Sequence, residues 1–71
     1  MFHIELEQED DGRWIADVVD LPGVVAYGAT RADAMRAVQA LALRVLAERV
    51  EKDEQPEASL LSIQFIAAQP A

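Results

Sequence analysis

Residues 30–52 read TRADAMRAVQALALRVLAERVEK, and how this stretch folds decides what the rest of the chain can build around it. Ala34, Val38, Leu41, Ala42 and Val45 recur at the i, i+3, i+4, i+7 spacing that gathers side chains on one side of a helix. That side is the expected core face. Thr30 suits an N-cap, and Asp33 follows three places later as in a capping box, so the helix is predicted to start at Arg31. A second set, Leu43, Leu46, Ala47 and Val50, has the same spacing but is turned roughly 120 to 140° from Val38, at about 100° per residue. The helix would be ~33 Å long, against about 20 to 24 Å for a strand of six or seven residues. Its far end is therefore expected to overhang the sheet and offer the second set to another chain.

Working outward, three short strands precede the helix. Phe2 to Gln8 alternates Phe2, Ile4 and Leu6 with His3, Glu5 and Glu7, and Arg13 to Val19 alternates Trp14, Ala16 and Val18 with Arg13, Ile15, Asp17 and Val19. The loop length between them follows from the faces. A two-residue Asp11-Gly12 turn would oppose Leu6 to Asp17, whereas a three-residue Asp10-Asp11-Gly12 loop opposes Leu6 to Ala16 and Ile4 to Val18, so the latter is expected, with Gly12 left-handed. Asp20-Leu21-Pro22-Gly23 is a turn in which Pro22 sets φ and Gly23 takes φ > 0. Val24 to Tyr27 is the third strand, ended by Gly28.

After the helix, residues 53 to 59 form a polar connection, and Leu60 to Ala67 is read as a last strand with Leu61, Ile63 and Phe65 on one face. The order βββαβ makes this an α+β, two-layer domain: a mixed four-stranded sheet with one long helix on one face. Counting directions, the last strand runs with the first and can pair beside strand 1 or strand 3. The uncovered face carries His3, Glu5, Glu7 and Asp17 among Ile15, Val19, Val25 and Tyr27, a mixture that invites a partner or another copy.

A chain of 71 residues is one small domain, 1–71, and buries only about 60% of its unfolded surface, so reinforcement by oligomerisation is expected. There is no cysteine to form disulfides, and a single histidine, His3, excludes the usual Cys/His zinc site. No apolar run reaches the ~20 residues of a membrane span and no signal-like N-terminus precedes the first strand, which reads as cytoplasmic. The net charge is −7, and Glu5, Glu7, Glu9, Asp10, Asp11, Asp17 and Asp20 stand against Arg13 alone in the first twenty residues. Such a surface repels a nucleic acid backbone and favours basic partners.

Catalysis is not expected. Two-metal hydrolysis needs carboxylates converging from several elements, yet Leu60 to Ile66 and the helix core face carry none. Ser59 and Ser62 have no histidine base near them. Trp14 and Tyr27 lack the basic neighbours of a base-stacking platform, and Arg31, Arg36, Arg44, Arg49 and Lys52 scatter around the helix beside Glu48 and Glu51. No cofactor, metal or direct nucleic acid contact is implied.

Glu9-Asp10-Asp11-Gly12-Arg13-Trp14-Ile15-Ala16-Asp17-Val18, then Asp20-Leu21-Pro22-Gly23-Val24, then Gly28-x-Thr30-x-x-x-Ala34 leading into an alanine- and leucine-rich helix, resembles the HicB-type antitoxin family over roughly the first two-thirds of the chain. The resemblance implies a degraded ribonuclease H-like βββαβ fold with strand order 3-2-1-4, assembled as dimers or tetramers. It also implies a function in a toxin-antitoxin system, the occlusion of a small basic toxin of double-stranded-RNA-binding fold that cleaves mRNA. Family members that repress their own operon add a DNA-binding segment after this domain, and none is expected here. Two readings follow. In one, Glu5, Glu7, Glu9, Asp10, Asp11 and Asp17 steer a basic toxin onto the acidic hairpin and open face. In the other, the chain is an orphan homo-oligomer without a toxin partner, self-associating through Leu43, Leu46, Ala47 and Val50 with Ile15, Val19 and Tyr27.

Overall fold

The computed structural model describes residues 2–52 and 65–68. Within them the chain forms β1 (Phe2–Gln8), β2 (Trp14–Val18), β3 (Val25–Gly28), α1 (Arg31–Glu51) and β4 (Phe65–Ala68). The four strands make one sheet in the order β3-β2-β1-β4, with β4 parallel to β1 and the other pairs antiparallel. This is the expected α+β fold, and of the two sheet edges open to the last strand it is β1 that β4 joins. Phe65 lies opposite Phe2 there, their rings 5.8 Å apart and tilted by 33°. Such a contact extends the core to the sheet's far edge. The expected strand residues 60–64 lie outside the described residues.

The first hairpin has the three-residue loop. Ile4 pairs with Val18 and Leu6 with Ala16, all four buried, which is the register that keeps β1 and β2 apolar on a common face. The Glu9 N–H donates to the Arg13 carbonyl at 2.7 Å, the Gly12 N–H returns to the Glu9 carbonyl at 2.9 Å, and Gly12 takes φ 92°. The second reversal is tied down by the Val24 N–H, which donates to the Leu21 carbonyl at 3.1 Å across Pro22 and Gly23, the latter at φ 86°. A proline followed by a positive-φ glycine is what a type II turn requires. Because Val24 serves that turn, β3 starts one residue later than the apolar run suggests.

Gly28 belongs to β3, opposite Trp14, rather than ending the strand before it. Its hydrogen faces the first turn of α1: a Cβ there would lie 2.7 Å from the Asp33 carbonyl carbon and 2.8 Å from the Asp33 Cβ. Absence of a side chain lets the strand pass close under the helix. Two residues on, the Thr30 hydroxyl accepts from the Asp33 N–H at 3.1 Å and caps α1, which begins at Arg31 as predicted.

The helix lies across β3 and β2 and buries Ala34, Val38, Ala42 and Leu46 against Ile4, Leu6, Ala16 and Val18. These four helix residues are each four apart, and four steps of 100° advance the row by about 40°. The buried row therefore winds around α1 as a ridge. Leu46, only 3% exposed, is its last buried member, which corrects its assignment to a free outer stripe. Val50, the next place on the ridge, is 54% exposed.

Candidate binding face

The sheet face turned away from α1 is not covered by any described element. Strand alternation places Glu5 opposite Asp17 and Asp17 opposite Val25, and beside that row Glu7 opposite Ile15 and Ile15 opposite Tyr27. Toward the far edge, His3 lies opposite Ile66, and Val19 donates its N–H to the His3 carbonyl at 3.0 Å. Three carboxylates thus sit in the middle of a frame of apolar side chains. Tyr27, Val19 and Ile66 are about half exposed, while Ile15, Val25 and Asp17 are half-buried among their neighbours.

Two features stiffen this face at its ends. The Arg13 guanidinium stands 5.0 Å above the Tyr27 ring, and its Nε also donates to Asp11 at 2.8 Å. A cation held over the ring fixes the tyrosine in one orientation. At the other end, the Asp20 carboxylate accepts the His3 backbone N–H at 2.6 Å and lies 3.3 Å from His3 Nδ1. The His3 backbone donor, then its ring, hold Asp20 below the usual carboxylate range.

The six acidic residues expected to act together are divided by the fold. Glu5, Glu7 and Asp17 share the open face, whereas Asp10 and Asp11 lie on the hairpin loop beyond the end of the sheet, with Glu9 at its base. Asp11 is already engaged: the Arg13 N–H donates to it at 3.1 Å, and this bond, followed by the guanidinium, holds its carboxyl below the ordinary range. The expected self-association set divides as well. Ile15, Val19 and Tyr27 lie on the sheet face, Leu43, Ala47 and Val50 on the exposed side of α1, and Leu46 in the core.

Ile66 was not foreseen as a member of the face, nor was the contact of Arg13 with Tyr27. Ile66 was legible, since it has the opposite parity to Phe65 and so must point away from Phe2. Parity alone puts Arg13 on the side of Ile15 and Asp17, but the placement of its long side chain over Tyr27 depends on the pairing of β2 with β3. Among the described residues no three His, Asp or Glu side chains come together as a metal site, and no helix is long and apolar enough to cross a membrane. The face can offer apolar contact area and negative charge to a macromolecular surface. Compared with known proteins, the chain matches no family model, and no curated protein or solved structure matches it significantly.

Proposed function

We propose that this chain is a non-catalytic protein-binding module that works in the cytoplasm, and that the open sheet face receives a small basic protein. The observation that carries the reading is the direct opposition of Glu5 and Asp17 across β1 and β2, with Glu7 next along β1 and Ile15, Val25 and Tyr27 around them. Like charges opposed on neighbouring strands destabilise a sheet, and an arriving lysine or arginine turns that cost into attraction. The apolar frame supplies contact area and, like the ring around an interface hot spot, excludes water from the charge pairs. Nucleic acid is the wrong sign for this surface.

The resemblance to HicB-type antitoxins names the class of partner: a small basic mRNA-cleaving toxin, neutralised by occlusion. Glu5, Glu7 and Asp17 form the docking centre in this reading, with Asp10 and Asp11 on the loop contributing to long-range steering. The test is co-expression in a host whose growth is arrested by the small basic toxin-like proteins encoded in the same genome. The chain restores growth against one of them, and the Glu5→Lys, Asp17→Lys double variant does not. Absence of rescue against every such protein would overturn the toxin reading.

A further inference from the structure

Among the described residues, Arg13 is the one arginine or lysine at the open sheet face, and two different groups receive its side chain. The guanidinium carbon stands 5.0 Å from the centre of the Tyr27 ring, while Nε donates to the Asp11 carboxylate at 2.8 Å. The pairings bring these groups to one corner. Glu7 lies opposite Ile15 and Ile15 opposite Tyr27, so the ring ends that row, and the hairpin loop returns Asp11 to meet Arg13 beside it. A planar guanidinium can stack on an aromatic face and bond a carboxylate with its edge at the same time, which a compact ammonium group does not do.

The occupant is loosely held and its seat is accessible. Of the Arg13 side-chain nitrogens, Nε alone has a hydrogen-bond partner among the described residues, and both Arg13 and Asp11 are exposed. Tyr27 is 50% exposed even with the guanidinium above it. Exposed ion pairs and exposed contacts of a cation with a ring are both weak, so another guanidinium can take the place. Glu7, in the row that leads to the ring, is exposed and in no ion pair among the described residues, and it draws an entering cation toward Tyr27.

We propose that Tyr27 and Asp11 form an arginine-recognising subsite at the corner of the open face, filled by Arg13 in the free chain and by an arginine of the basic partner in the complex. Arg13 is then a built-in competitor that sets which cation the face accepts. An arriving lysine gains charge attraction alone, whereas an arriving arginine gains the ring as well. The inference rests on the proposed function, because it takes the open face as the place where the basic partner lands, and it adds the side chain that this partner must present.

NMR titration of the full chain with hexa-arginine and hexa-lysine peptides, equal in charge and used at low ionic strength, reads the outcome through Ile15, Val25 and the ring of the single tyrosine. Both peptides are expected to shift Ile15 and Val25, with hexa-arginine bound about two- to fivefold more tightly and moving the Tyr27 ring further. Arg13→Gln raises the affinity for hexa-arginine about two- to fivefold beyond the gain from Arg44→Gln, which removes the same charge from α1. Tyr27→Leu erases both the preference and that extra gain, and Tyr27→Phe keeps them. All of these side chains are exposed, and the far-ultraviolet circular dichroism stays unchanged. Equal affinity for the two peptides, with Arg13→Gln no better than Arg44→Gln, overturns the subsite and leaves the proposed function standing. A loss of affinity in Arg13→Gln overturns it too, since Arg13 would then be a clamp on Tyr27 and not a competitor. An open face that neither peptide shifts overturns the subsite and the proposed function together.

Discussion

Leu43 and Leu46 are three residues apart on the same helix, and replacing each by alanine removes the same atoms from opposite environments. Leu46 is 3% exposed against the sheet and Leu43 is 47% exposed. For Leu46, loss of three buried carbons at ~0.8 kcal/mol each gives about 2.4 kcal/mol, and the cavity left under α1 raises the total to roughly 3 to 4 kcal/mol. A 71-residue domain at ~0.05 to 0.15 kcal/mol per residue has about 4 to 11 kcal/mol in all, so this one change removes a large share. Urea unfolding at low micromolar concentration measures both variants. Leu46→Ala is expected to lower the unfolding free energy by roughly 3 to 4 kcal/mol, and Leu43→Ala by under about 1 kcal/mol. Equal losses, or a larger one for Leu43→Ala, would refute the orientation of α1.

Gly28→Ala forces a Cβ into the backbone of Asp33 and Ala34, which cannot yield without moving the helix start; a loss of about 2 to 3 kcal/mol in chemical denaturation is expected, and a neutral result would contradict the close approach. Asp17→Asn relieves the opposition to Glu5 and is expected to stabilise the free chain by up to about 0.5 kcal/mol, read as a rise of a few degrees in thermal melting, while weakening its hold on a basic partner. Acid destabilises the fold: Asp11, Asp20, Asp33 and Glu48 are all held below their ordinary values of 3.8 and 4.5, so what they add is complete above those values and lost as pH falls through the lower folded ones. The melting temperature is thus expected to be level from neutral pH to about pH 5 and to fall below pH 4, and less steeply in Asp20→Asn.

Much of the fold was legible because its decisive signals are local. The hairpin register follows from which loop length keeps Leu6 opposite an apolar residue, and the helix start from Thr30 and Asp33. The place of β4 was open from direction counting alone; beside β1 it brings Phe65 against Phe2, a non-local contact. The error over Leu46 has a geometric origin. Counting i, i+3, i+4 and i+7 assumes a stripe parallel to the helix axis, but α1 crosses the sheet along a row of fours that turns about 40° at each step, so the buried side at Ala34 is not the buried side at Leu46. For the binding face, the parity of β1 and β2 already put Glu5, Glu7 and Asp17 together. Loop residues have no parity, and only the hairpin's geometry separates Asp10 and Asp11 from them. The Arg13 to Tyr27 contact required knowing that β3 pairs with β2.

In the function proposed above, the sheet face, and not the helix, receives the basic partner. Methyl and aromatic NMR during titration with the purified small basic protein that the growth assay identifies reads this directly. The signals of Ile15, Val25, Ile66 and the Tyr27 ring are expected to shift together while Leu43 and Val50 stay in place. Shifts confined to Leu43 and Val50, with the sheet face silent at saturation, would contradict it.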